Sequence, residues 1–352
     1  AEEHAAQALV LARERGTPSM QAAAHAALGL VASTRVDLDA TKEHSQEAIR
    51  LARGADDREA YRTLIASLNN LSVVHQQQGE GEESLRLLLE ALEIARRARN
   101  IWDIAFLNRR LVAHYFLWGD WQAAKRYLNE NLRMDLSTPL RLESEWFLKR
   151  LEGDWEGAVS LARSIVEHRR RTGDAHGIFL YSMLLAGYSL ELGRVHEARD
   201  AAAEAAGITE SNPDFLFIPL VAFIPEALAR GGDYERCEAL CARGEALSRA
   251  ANSPSGLAGA LYGRAVLALE RGDPDQAVRL FDEILPLAKR VGPVFQAHVL
   301  RTLARALIRR GVPGDLERGK AVLQECLMLL EQMGDTRKAQ QVRGELAAPV
   351  SP

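Results

Sequence analysis

The chain has 352 residues, 47% of them hydrophobic and 26% charged, which is enough apolar material for a large core and enough length for two or three domains. A formal net charge of -4 leaves no basic footprint, which argues against direct nucleic-acid binding by this segment. Three cysteines, Cys237, Cys241 and Cys326, are too few for a disulfide framework and point to a reducing, cytoplasmic setting.

In chain order, the first segment, ALVLAR (Ala8 to Arg13), matches AIRLAR (Ala48 to Arg53). Ala1 then aligns with Thr41, inside the second helix of a repeated unit, so the chain is expected to be an N-terminally truncated fragment of a longer protein. EAIRLAR (Glu47 to Arg53) matches EALEIAR (Glu90 to Arg96) and places a degenerate turn near Val36. The clearest unit runs from Leu64 to Asn100. Leu64, Leu68, Leu71 and Val74 recur at helical steps, a turn follows at Gly79, and Leu85, Leu88, Ala91, Leu92 and Ala95 form a second apolar stripe. Two helices joined so tightly lie antiparallel, and neither can bury its outer apolar face without a neighbouring pair.

Equivalent turns follow at Gly119, Gly153, Gly193, Gly232, Gly272 and Gly311, spaced 40, 34, 40, 39, 40 and 39 residues apart. So regular a period predicts a solenoid. Five residues after six of these markers stand Ser84, Ala124, Ala158, Ala198, Cys237 and Ala277, small side chains where the helices of a pair would cross. Connections such as RGTPS (Arg15 to Ser19), ANSPSG (Ala251 to Gly256) and VGP (Val291 to Pro293) end one helix and cap the next. Phe215 to Ala229 is the most apolar window, yet with Pro219 and Pro225 inside it falls short of the roughly 20 residues of a membrane span, so no membrane partner is expected. It reads as a buried helix that starts near Pro219. Arg337 to Leu346 reads as a closing helix and AAPVSP as a frayed end.

Catalytic patterns are absent: no HExxH, no GxSxG, no GxxxxGK[ST], and nine scattered histidines without ligand spacing. The expectation is a non-enzyme with no metal and no cofactor. Cys237 and Cys241 share a helix face, but packing explains them better than zinc. The tryptophans all lie between Trp102 and Trp155, with Trp121 and Trp155 as wedges between helices and Trp118 and Trp146 less explained. Arginine runs at Arg96 to Arg99, His168 to Arg171 and Ile308 to Arg310 fall near helix C-termini, where they complement the macrodipole.

The Gly-Asp-aromatic turns (Gly119-Asp120-Trp121, Gly153-Asp154-Trp155, Gly232-Asp233-Tyr234), each followed by a small residue, resemble the tetratricopeptide repeat over nearly the whole chain. The period near 40 exceeds the usual value of about 34. The resemblance implies an all-α right-handed α-α superhelix of about eight helix pairs, a single solenoid domain over residues 1–352, whose first helices line a concave groove. Ligand-contacting positions six, nine and ten residues before each marker then include Asn69, Asn70, Arg109 and Arg110, an amide and guanidinium clamp suited to an anion or a C-terminal carboxylate. Arg301 and Arg305 would form a second basic patch, with Met183, Leu184, Phe223 and Tyr262 as an apolar middle.

The spacing and the Ala/Arg/Leu-rich units are also similar to the C-terminal repeat region of large bacterial LuxR-type activators and of antibiotic regulatory proteins. That implies a non-catalytic sensor for a protein, a peptide or a small-molecule inducer, coupled to upstream NTPase or DNA-binding domains. The alternative is a constitutive scaffold that holds a partner's peptide tail in the groove.

Overall fold

The computed structural model describes residues 2–55, 57–134, 138–211 and 223–347. These residues form 18 α-helices and no strand. A leading helix, α1 (Glu2–Arg15), is followed by pairs: α2 (Pro18–Thr34) with α3 (Leu38–Arg53), α4 (Arg58–Gln77) with α5 (Gly81–Arg97), α6 (Ile101–Leu117) with α7 (Trp121–Leu132), and α8 (Thr138–Leu151) with α9 (Trp155–Thr172). Then come α10 (Ala175–Glu191) with α11 (Val195–Ser211), α12 (Phe223–Arg230) with α13 (Tyr234–Ala250), α14 (Pro254–Glu270) with α15 (Pro274–Val291), and α16 (Pro293–Arg310) with α17 (Asp315–Met333). A final helix, α18 (Thr336–Ala347), closes the array. Consecutive helices pack in sequence order, as in a solenoid. The proposed helix start at Pro219 and the frayed segment after Ala347 lie outside the described residues.

The turn within each pair has a common chemistry. The seven marker glycines, from Gly79 to Gly311, all adopt φ between 65 and 84°, the left-handed conformation that ends a helix without a Cβ clash. In the first pair Val36 takes that place at φ 62°, so the degenerate turn keeps its geometry without its glycine. The next residue starts the second helix: Asp37, Asp120, Asp154 and Asp273 each accept the backbone N–H three residues on at 2.9 Å. The Gly-Asp pair is thus a helix stop followed at once by a helix start.

Behind the turn, Ser84, Ala124, Ala158, Ala198, Cys237 and Ala277 are fully buried, as is Thr41 in the first pair. A larger side chain there would push the two helices apart. The last pair has a longer turn, Gly311 to Gly314, and the buried Gly319 does the same work in α17. All three cysteines are free and buried; the Cys237 thiol donates to the Pro225 carbonyl at 3.3 Å. On the outer surface the arginine runs bridge to the second helix of the next unit, Arg96 to Glu130 and Arg170 to Glu204, both at 2.7 Å.

The array winds until it meets itself. α4 touches α14 and α6 touches α16. Helix ends leave their last carbonyls without intrahelical partners, and here donors from the next turn reach them. Ser255 Oγ donates to the Gln76 carbonyl at 3.0 Å, Ser253 Oγ to the Gln77 carbonyl at 3.3 Å and side chain at 3.0 Å, and Arg290 Nη2 to the Gln78 carbonyl at 2.6 Å. Arg337 Nη1 donates to the Gly153 carbonyl at 2.9 Å. One apolar core accordingly joins Leu107 and Leu111 of α6 to Leu300, Leu330 and Val342 near the other end of the chain.

The strongest link across this seam is an ion pair. Arg150, on α8 and 2% exposed, donates to Asp335 at 2.9 Å and to the Tyr188 hydroxyl at 2.6 Å. Its guanidinium lies over Phe116, Trp121, Trp155 and Tyr188 at 5.0–5.8 Å. Burial opposes the charge, but Tyr188 and Asp335 outweigh it and hold the guanidinium pKa above its usual value.

Two stability tests follow from this geometry. Arg99 is an exposed residue at φ 53° in the connection before α6. Arg99→Gly is expected to raise the urea midpoint by a net of roughly 1 kcal/mol or less, since the left-handed strain of ~1–2 kcal/mol exceeds glycine's entropic cost of ~0.5–1. Asp335→Ala leaves Arg150 buried and unpaired, and should cost about 3–5 kcal/mol in the same measurement.

Candidate ligand-binding groove

The first helices of the pairs face the inside of the winding. Between α2, α4 and α6 they enclose a groove of about 410 Å³, with Ala23, Ala26, Ala27, Ala66 and Phe106 in its wall. Short alanine side chains keep the groove open, so the backbone of α2 itself comes close to whatever lies in it. Glu59, Arg62 and Asp103 stand toward the N-terminal ends of α4 and α6, and Asn69 and Asn70 stand further along α4.

Asn69, in the groove wall, meets a residue forty-one positions away that stands behind it: Arg110 Nε donates to Asn69 Oδ1 at 3.1 Å. Arg109 turns the other way, donating to the buried Glu143 at 2.8 Å. Glu143 also receives Arg169, which donates a second bond to Asp174 at 2.8 Å. Two guanidiniums therefore share two carboxylates, and the Nε atoms of Arg109 and Arg169 are buried without a partner among the described residues. Among the described residues no carboxylate pairs with Arg110. Burial, and secondly the charge of Arg109, press its pKa down to about 10. One helical turn on, burial and then Arg110 push His114 down to about 4.

The C-terminal candidates sit in a different setting. Arg301 donates to Glu345 of α18 at 2.6 Å and lies 3.6 Å from Glu191; Arg305 reaches the same Glu345 oxygen at 3.2 Å. They belong to a mixed network rather than a bare basic patch. Glu191 is paired with Lys338 at 2.6 Å. Burial works against its charge, yet Lys338 and Arg301 prevail and bring its pKa down to about 2. Met183 and Tyr262 are buried in the core, 4% and 0% exposed, because an aromatic or thioether at these positions fits between helices. The Tyr262 hydroxyl donates to Glu226 at 3.2 Å and shares a 3.0 Å bond with Thr302. Phe223 lies against Gly187, where a Cβ would come within 2.5 Å of its ring.

Sequence spacing placed Glu143 and Glu226 at groove positions without marking them. Lys338 and Glu345 gave no signal, since their partners lie on helices far away in the chain. Four of the five tryptophans are structural: Trp121 and Trp155 cover Arg150, Trp146 packs edge-on against Phe147, and Trp118 lies against Gly81, whereas Trp102 is exposed. No group of three or more His, Cys, Asp or Glu side chains among the described residues is placed to hold a metal ion. No described helix is long and apolar enough to cross a membrane.

Residues 64–100 and 259–285 each match a family profile described as tetratricopeptide repeat. The chain carries tetratricopeptide repeats. Among solved structures it is similar to a Rap protein complexed with competence and sporulation factor, at TM-score 0.59 and 15% identity over 90% of this chain and 99% of that one. It is also similar to aspartyl phosphate phosphatase F from Bacillus subtilis, at TM-score 0.53 and 12% identity over 83% and 76%. At these identities the likeness is one of fold. No curated protein sequence matches.

The two shifted groups set an acid dependence. His114 has its folded pKa lowered from 6.5 to about 4, so the unfolded chain binds the extra proton and stability falls as pH drops from 6.5 towards 4. Glu191, lowered from 4.5 to about 2, contributes in full above pH 4.5 and is lost as pH falls towards 2. Thermal melts from pH 7 to pH 3 should show a decline beginning near pH 6.5, and His114→Asn should reduce the part above pH 4.5, to which His25 and His176, also lowered by burial, contribute the rest.

Proposed function

We propose that this solenoid is a non-catalytic sensor domain of a bacterial signalling or transcriptional regulator, and that its groove captures an anionic group, most simply the C-terminal carboxylate of a peptide. The observation that carries the reading is Arg110: a half-buried guanidinium, fixed by an amide at 3.1 Å, with no carboxylate partner among the described residues. A bound anion would satisfy its free N–H groups and relieve the repulsion from Arg109. The alanine wall of the groove that its partner Asn69 lines suits an extended backbone.

The Rap protein of similar fold is complexed with competence and sporulation factor, and that supports a ligand-responsive role for this architecture. Repeat spacing like that of the large regulators supports placing NTPase or DNA-binding domains in the same protein as the target of the response. Ligand would act by favouring one winding of the superhelix over another. The scaffold reading has support in Ile101 and Trp102, exposed by 57% and 59% at the start of α6, where a protein partner could cover them.

Fluorescence anisotropy with a tetrapeptide pool, free at the C-terminus or amidated, separates these. The free-acid pool is expected to bind, the amidated pool to bind at least tenfold more weakly, and Arg110→Met to cost about 1.5–3 kcal/mol, the range for a hydrogen bond to a charged group. Equal binding of the two pools, or no loss in Arg110→Met, overturns the carboxylate reading.

A further inference from the structure

A second enclosed space, about 110 Å³, lies where α10, α12, α16 and α18 face one another. Glu191, Glu226, Arg230, Arg301, Arg305 and Gln341 line it. We propose that this cavity is a ligand site for a small zwitterion of the free amino-acid class, separate from the Asn69–Arg110 groove.

The argument begins with unused hydrogen-bonding capacity. Gln341 Oε1 is buried and has no donor among the described residues, which leaves its desolvation uncompensated. Arg305 spends one N–H group on Glu345, and Arg230 spends one, at 3.3 Å, on Glu226. Both arginines line the cavity, and neither has a further partner among the described residues. Gln341 is therefore an acceptor open to an ammonium, beside Glu191, already paired with Lys338, and Glu226, already held by Tyr262 and by His298 at 2.9 Å, while the two arginines are donors able to take a carboxylate.

Charge balance selects between ligand types. Around the space stand Arg230, Arg301, Arg305 and Lys338, opposed by Glu191, Glu226 and Glu345, four cations against three carboxylates. So nearly neutral a wall gives a lone anion or a lone cation little net attraction. A dipolar molecule meets a partner at each end. The volume is several times the ~30 Å³ that one water occupies in the liquid, which is the scale of glycine or alanine. The apolar side is Phe223, Leu190 and Gly187, room for a short aliphatic side chain.

Occupancy would also have a structural consequence. The lining comes from the α10 and α12 units on one side and from α16 and α18 on the other. A ligand held by both would tie the last helix to the middle of the array.

Isothermal titration calorimetry and thermal shift with glycine, L-alanine, L-glutamate and L-arginine test this on the whole chain, with acetate and methylamine as single-charge controls. At least one amino acid is expected to bind saturably and to raise the melting temperature, with both controls at least about tenfold weaker (~1.4 kcal/mol). Arg305→Met and Gln341→Met, substitutions at side chains that are not fully buried, should each weaken that binding by about tenfold, whereas Arg110→Met should leave it unchanged. The proposal is overturned by the absence of saturable heat from all four amino acids, by binding that survives both cavity substitutions, or by loss in Arg110→Met, which would assign the heat to the groove.

Discussion

The pairing of Arg150 with Asp335 is the constraint on which the closed form of this solenoid rests. Each charge is almost wholly removed from water, and such a pair is stable only when every remaining donor and acceptor finds a partner. Tyr188 takes the Arg150 Nε donor, and the Lys338 backbone N–H is given to Asp335 at 3.1 Å, the bond that caps α18. Four aromatic rings cover the guanidinium faces. The same residue thus starts the last helix and anchors it to the fourth pair. Around this pair, Arg337 on the Gly153 carbonyl, Lys338 on Glu191 and Glu345 on Arg301 tie the same helix to parts of the array beyond its neighbour α17.

With the ends of the winding in contact, the inside of the superhelix becomes a place of low dielectric constant instead of an open trough. Arg110 is half-buried, and burial together with the neighbouring Arg109 disfavours its charge. His114 and Glu191 respond to the same enclosure in opposite chemical senses, one losing its charge more readily and the other keeping it because Lys338 is close. A ligand entering such a space gains more from each polar contact than it would on a surface.

Local rules made most of the fold legible from sequence. Helix-period stripes, a glycine where the left-handed residue must fall, an aspartate next to it and a small residue five further on are short-range signals, and each has one structural meaning. Even Val36 could be located, because neighbouring units fixed where its turn had to be. The Asn69–Arg110 contact was accessible for the same reason, since equivalent positions on adjacent first helices are neighbours in any solenoid. What the sequence could not show is the contact of each turn with the next. Ser253 with Gln77, Arg337 with Gly153 and Glu345 with Arg301 depend on how far the array rotates per unit, and no residue pattern states that angle. Tyr262 and Met183 were misplaced towards the groove because a position count gives a side of the helix but not the depth to which a long side chain sinks.

The seam has a consequence for how the chain behaves as a polymer. Repeat proteins are ordinarily one-dimensional, each unit coupled only to the units on either side, so that they unravel from the ends and tolerate the gain or loss of a unit. Here Gln77 bonds to Ser253 across 176 residues, and Gly153 to Arg337 across 184. Those long-range bonds raise the contact order and couple units that are not neighbours in sequence, which favours slower, more concerted folding. They also fix the length of the array: removing one unit between the two turns would bring the wrong carbonyls opposite the wrong donors. Selection on this chain would then act on its repeat number as strictly as on its residues.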